Sequence, residues 1–155
     1  MPQPIKYHFI QRFNLPARKA YEWCTDFTPQ DPALMREEAI REVKAITENT
    51  FILTDKIQVG GETTIKQKLV CLYPNRLMWT STHLTGPAKH SQFIYEIKSV
   101  TRSRSRLKFT ALHIAHDLRQ GTAETHIEQL AKKLRKADSE VWKNLAREME
   151  KEMHL

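Results

Sequence analysis

The segment from Thr125 to about Met153 reads as one long amphipathic helix, while almost everything between Ile40 and Ala115 reads as strand. This order restricts the folds open to the chain. A single helix at the end of an antiparallel meander has one surface large enough to cover its apolar stripe, and that surface is the sheet itself. If the sheet curves, the space between the two is a chamber. The pattern specifies a container more sharply than its contents.

The stripe is carried by Ile127, Leu130, Leu134, Ala137, Val141, Leu145, Met149 and Met153, at steps of three and four, with Trp142 and Ala146 widening it. Lys143, Arg147, Glu148 and Glu152 fall on the wet side. Thr125-His126-Ile127-Glu128 reads as a capping box, with Thr122 a rival cap for an earlier start. The later four-residue steps drift off a strict heptad, so docking on the chain's own sheet is expected rather than a coiled-coil arm. With a narrower stripe, Trp142 would be an exposed aromatic for a partner or a dimer contact.

Ahead of that helix the period is two. Tyr7, Phe9 and Phe13 alternate with His8, Ile10 and Arg12, a first strand with one buried face. Pro16 is well placed in the first turn of a short helix whose apolar face is Ala17, Ala20, Tyr21, Cys24 and Phe27. Thr28-Pro29-Gln30-Asp31 resembles a second helix start, running briefly past Leu34 and Met35. Six strands follow, the least regular being Ile40 to Ile46. Phe51, Leu53, Ile57 and Val59 share a face with Asp55. After Gly60-Gly61, the row Thr63, Ile65, Gln67, Leu69, Cys71 and Tyr73 is read as inward, leaving Lys66, Lys68 and Val70 outward. Leu77, Trp79, Ser81 and His83 continue the inner rows. Phe93, Tyr95 and Ile97 come next, then Leu107, Phe109, Ala111 and His113. Short connections make this an antiparallel meander.

A chain of 155 residues, 40% apolar and 28% charged, fits one domain, 1–155, with a real core. No run approaches the roughly 18 apolar residues needed to span a bilayer. MPQPIKYHFIQRF breaks its apolar character too often for a signal peptide. Cys24 and Cys71 lie far apart, in no CxxC, which favours a reducing, cytoplasmic setting over a disulfide scaffold. The formal charge is +7, but basic residues are scattered, and nucleic acid is not the expected partner. The one basic row is Arg102, Arg104, Arg106 and Lys108 on an outer face. It reads as a wet strand face, or as a surface for an acidic partner, an anionic lipid surface or RNA.

The order of strand, two short helices, six strands and long helix, with PARKAYEWCTDFTPQD at residues 16–31, resembles the START/Bet v 1-like (SRPBCC) superfamily, the polyketide cyclase/dehydrase and lipid transport group. Pro16-Ala17, Tyr21, Trp23, Cys24 and Asp26 stand at the places of its early helix and loop, and Leu77-Met78-Trp79 resembles its tryptophan-bearing middle strand. The resemblance implies an α+β helix-grip fold, a curved antiparallel sheet of about seven strands (β-α-α-β6-α) wrapped around the long C-terminal helix. Function under it ranges over carriers, receptors, cyclases and cochaperone domains.

The expected function is binding or carriage of a hydrophobic or amphipathic small molecule between sheet and helix, by a monomer or weak dimer. Phe51, Leu53, Ile65, Leu69, Trp79, Phe93, Phe109 and Ala111 would form apolar walls from the sheet, with Leu134 and Val141 opposite. Gln67, Ser81, His83, Tyr95 and His113 are the polar groups in inward register that would set selectivity. Burying about 300 Å² of apolar ligand is worth roughly 7 kcal/mol, of which association takes back about 4 kcal/mol or more, so hydrophobicity alone reaches only about millimolar binding and polar contacts must supply the rest. The alternatives are an aromatase/cyclase-like lyase without metal and an interaction domain with no small-molecule ligand. For the lyase, His83 and His113 would move protons, Tyr95 would polarise a carbonyl and Asp55 would orient a histidine. No cofactor is expected, because the chain has only four glycines and no phosphate-cradling loop. No metal is expected either. His113-x-x-His116-Asp117 has donor types zinc accepts, but residues three apart on a strand face opposite ways.

Overall fold

The computed structural model describes residues 2–27, 39–118 and 121–154. Strand β1 (Gln3–Phe13) leads into helix α1 (Ala17–Cys24), and six strands follow: β2 (Ala39–Thr47), β3 (Thr50–Val59), β4 (Glu62–Tyr73), β5 (Met78–His83), β6 (Gln92–Ser99) and β7 (Ser105–Ala115). Helix α2 (Glu124–Met153) closes the chain. All seven strands form one antiparallel sheet in the order β1-β7-β6-β5-β4-β3-β2. The first strand therefore lies beside the last. The expected second helix start at Thr28–Asp31, with Leu34 and Met35, lies outside the described residues.

α2 packs on the β1 side of the sheet's inner face, and two apolar clusters hold it there. At the C-terminal end of the helix, Ala146 and Met149 are buried against Phe13, Leu15, Ala20, Tyr21 and Leu107. At its N-terminal end, Ile127, Leu130, Ala131 and Leu134 meet Ile5, Tyr7, Phe93 and Phe109. Trp142 joins both, with its ring 6.3 Å from Trp79, 5.7 Å from Tyr95 and 6.4 Å from Phe13. Polar ties lock the first end. Trp23 Nε1 donates to Glu152 at 3.0 Å, the Asn14 amide donates to Glu150 at 2.8 Å, and the Tyr21 hydroxyl donates to the Met78 carbonyl at 3.0 Å.

Four local expectations need correcting. Pro16 precedes α1 by one residue instead of occupying its first turn. α2 starts at Glu124 with Ala123 at the cap position and no side-chain cap from it, so Thr125 lies inside the helix instead of at its cap. One member of the helix stripe is misplaced, for Ala137 is exposed while its neighbour Asp138 is half-buried on the inner side. Met153 ends the helix exposed.

The largest correction is the phase of β4. The two-residue turn Gly60-Gly61, with φ of +57° and +83°, pairs Val59 with Glu62 and so sets Leu53 opposite Lys68 and Phe51 opposite Val70. Directly paired residues share a face. The even residues Lys66, Lys68, Val70 and Leu72 therefore join Leu53 on the inner side, where Val70 is buried and Leu72 pairs with Trp79. Ile65, Gln67 and Leu69 face outward. Ile65 is 49% exposed, and Gln67 Nε2 donates to Thr54 Oγ1 at 3.5 Å on that outer face. Lysines normally argue for the wet face, and that preference misleads here because an inward carboxylate lies close to one of them.

Candidate functional site

The remaining inner rows hold as read: Phe51 and Leu53 on β3, Trp79, Ser81 and His83 on β5, Phe93 and Tyr95 on β6, and Phe109, Ala111 and His113 on β7 are in mutual register. Trp79 and Tyr95 stack at 4.5 Å with 2° between their planes, and Tyr95 meets Phe109 edge-on at 5.3 Å. With Trp142 inserted, the space between Trp79, Phe109 and the middle of α2 is filled by rings. Yet the helix stripe from Ile127 to Leu145, including Leu134 and Val141, stays only half-buried, whereas Ala146 and Met149 are sealed. Helix and sheet are sealed at one end, and the helix stripe is only half-buried along the rest.

At the loose end a half-open pocket of about 400 Å³ lies among Pro87, Ala88, His113, Ala115, His116 and Asp117. Its walls come from the loop after β5, the end of β7 and the stretch leading toward α2. His116 is anchored by a 2.7 Å contact between Nε2 and the Lys89 carbonyl. Three polar side chains face the interior without being absorbed by it. The Tyr95 hydroxyl and the imidazoles of His83 and His113 make no hydrogen bond among the described residues, and their polar atoms stay open. Burial drives His83 down to about 4, helped by Lys68 and Lys66. It also lowers His113, so both imidazoles are neutral at pH 7. Burial raises Tyr95 above the usual phenol range, keeping it a neutral donor.

A fourth polar group was not expected from the sequence. The Tyr7 hydroxyl on β1 donates to Asp138 Oδ2 on α2. Burial raises the Asp138 carboxyl, while Tyr7 and His113 oppose the rise. Tyr7 itself is pushed upward by burial and by Asp138. The legible signal was an aspartate four residues after Leu134 and four before Trp142, on the apolar stripe of a helix. His113 borders the 400 Å³ pocket and lies within electrostatic reach of Asp138 and of His83, so it connects the pocket to this pair.

Asp55 does not orient a histidine. It is 1% exposed and clamped by Arg41, Nε to Oδ1 at 2.7 Å and Nη2 to Oδ2 at 2.9 Å, with Lys68 Nζ 3.9 Å from Oδ2. A bidentate guanidinium uses the carboxylate's geometry fully. Ser81 is buried between Val70 and Phe93. No group of three or more His, Cys, Asp or Glu side chains among the described residues is arranged to hold a metal ion. The site can grip an apolar body, donate from a phenol and accept at a neutral imidazole.

No family model matches the chain, and no curated protein matches it. Solved structures do. The Zhui aromatase/cyclase from Streptomyces sp. R1128 superposes with a TM-score of 0.76 at 13% identity, over 97% of this chain and 96% of that one. A START superfamily protein from Mycobacterium smegmatis gives 0.65 at 12% identity, over 96% of each chain. Norcoclaurine synthase from Thalictrum flavum gives 0.68 at 8% identity, over 94% of this chain and 86% of that one. At such identities the shared property is the fold. The chain has the helix-grip fold of the START/Bet v 1-like superfamily, with a seven-stranded antiparallel sheet and a long C-terminal helix. No described helix is long and apolar enough to cross a membrane.

Proposed function

We propose that this protein binds and carries a hydrophobic or amphipathic small molecule between sheet and helix, as one domain, 1–155, monomeric or weakly dimeric, in a reducing cytoplasmic setting. The observation that carries the reading is the trio His83, Tyr95 and His113: inward polar groups with open atoms and no hydrogen-bonding partner among the described residues. Polar groups that merely stabilised the interior would be paired with one another, since an unpaired buried group costs about 1 to 3 kcal/mol. Open ones are supplied for water or a ligand. The pocket of about 400 Å³ beside His113 falls in the size range of small-molecule sites. The norcoclaurine synthase structure of the same fold holds dopamine and hydroxybenzaldehyde.

The ligand's apolar part would lie against Phe93, Phe109 and Leu134, and its polar group would meet Tyr95 or His113. Native mass spectrometry of freshly purified protein, with titration of the apolar probe anilinonaphthalene sulfonate, tests this. Retained small-molecule mass, or saturable probe binding weakened by a bulky His113→Trp substitution, is the expected result. An empty protein that ignores the probe would refute carriage.

A second reading, a metal-free aromatase/cyclase-like lyase in the same chamber, is favoured by one observation. The Tyr7–Asp138 pair stands beside a neutral His113, so a proton acceptor and a bound proton donor occupy one region. It predicts that His113→Ala abolishes turnover of a carbonyl substrate while leaving probe affinity intact.

A further inference from the structure

The chain's net charge of +7 is concentrated on one part of its surface. α2 carries seven cations and seven acidic residues between Glu124 and Met153, so it is neutral overall. The outer face of β1, β6 and β7, with the hairpin that joins the last two, carries seven cations, Lys6, Arg12, Lys98, Arg102, Arg104, Arg106 and Lys108, against one acid, Glu96. All seven cations are exposed, and none makes an ion pair among the described residues.

Their arrangement is costly to the fold. Arg106 pairs directly with Arg12 on one side and Lys98 on the other, so three cations stand abreast across three strands. Strands lie about 4.8 Å apart, and like charges directly opposite each other destabilise a sheet. Aliphatic side chains are interleaved with the charge: Ile10 is 48% exposed beside Lys108, and Val100 is 58% exposed at the hairpin next to Arg102. No Phe, Tyr or Trp lies on the outer rows of these three strands. That absence disfavours single-stranded nucleic acid, which is held by base stacking on aromatic rings. Exposed aliphatics set among arginines and lysines match the boundary of an anionic bilayer, where headgroups meet the cations and the aliphatics enter the acyl edge.

We infer that the outer face of β1, β6 and β7, led by the Val100–Arg106 hairpin, docks on an anionic lipid surface. The inference goes beyond ligand carriage and is independent of what the chamber holds. The face lies on the opposite side of the sheet from the chamber, so docking leaves the interior unobstructed.

The test is co-sedimentation of the full chain with vesicles of phosphatidylcholine containing about 30% phosphatidylserine, against vesicles of phosphatidylcholine alone. Binding to the anionic vesicles only, lost near 0.5 M salt, is expected. Each basic group near such a surface is worth about fivefold in binding, so Arg102→Gln/Arg104→Gln/Arg106→Gln should weaken it about 100-fold. Lys132→Gln/Lys133→Gln/Lys136→Gln, the same charge change on the solvent side of α2, should leave it within about twofold. Circular dichroism melts of both variants confirm folding. Equal binding to neutral vesicles, no binding to either kind, or equal losses in the two variants would overturn the inference. So would tight, salt-sensitive binding to single-stranded RNA without vesicle binding, which would assign the face to nucleic acid.

Discussion

Replacing Tyr7 by Phe removes one hydroxyl from the seam between β1 and α2. The hydroxyl donates to a half-buried carboxylate, and a hydrogen bond to a charged group contributes about 1.5 to 3 kcal/mol net. The expected loss is about 2 kcal/mol near neutral pH, or about 6 °C in Tm for a domain of this size. Asp138→Asn keeps an acceptor and removes the buried charge, so its cost should stay within about 1 kcal/mol. In a double-mutant cycle by denaturant unfolding, the two positions should couple by at least about 1 kcal/mol. pH supplies the second arm. The folded state raises Asp138 above the ordinary carboxylate value of 3.8, so between that value and the raised one the folded chain binds more protons than the unfolded chain. Stability contributed by this group therefore falls as pH rises through the window, and Asp138→Asn should remove that slope. Coupling below about 0.5 kcal/mol, with unchanged pH slopes, would refute the pairing of these side chains as a functional unit.

Two further outcomes follow from the inner face. His83 is held near 4 against an ordinary value of 6.5, so the unfolded chain binds more protons between those values. Stability is lost as pH falls through that window, on the order of 2 kcal/mol after allowance for partial exposure, and His83→Gln should flatten the acid limb of a Tm–pH profile. Asp55→Ala strips Arg41 of its bidentate carboxylate and should cost about 3 to 5 kcal/mol, measured by urea unfolding. Arg41→Met/Asp55→Leu should recover most of that, and a single-variant loss below about 1 kcal/mol would count against a structural role for the pair.

The helix-grip layout was readable because its two signals are long and periodic. The stripe on α2 and the alternation in β1, β5, β6 and β7 survive one or two exceptions. β4 was misread for a local reason. Both of its phases carry apolar residues, Ile65 and Leu69 on one and Val70 and Leu72 on the other, so composition does not choose between them. The choice is made by the two-residue turn, which pairs Val59 with Glu62, and that geometry was implicit in Gly60-Gly61. The site was half legible. Inward register placed His83, Tyr95 and His113 correctly, since register needs only strand parity. Partnership between distant elements is not encoded in period, so Asp55 with Arg41 and Asp138 with Tyr7 became visible only after folding.

Because Gln3 lies beside Ala115 and Phe13 beside Ser105, the opening strand has no neighbour until the seventh has been made. A ribosome adding about 5 to 20 residues per second leaves it waiting some 5 to 20 s. Throughout that interval Ile5, Tyr7, Phe9 and Phe13 are available to chaperones or to misassembly. Slower translation across the later strands would lengthen that wait, whereas slower translation across the first would not.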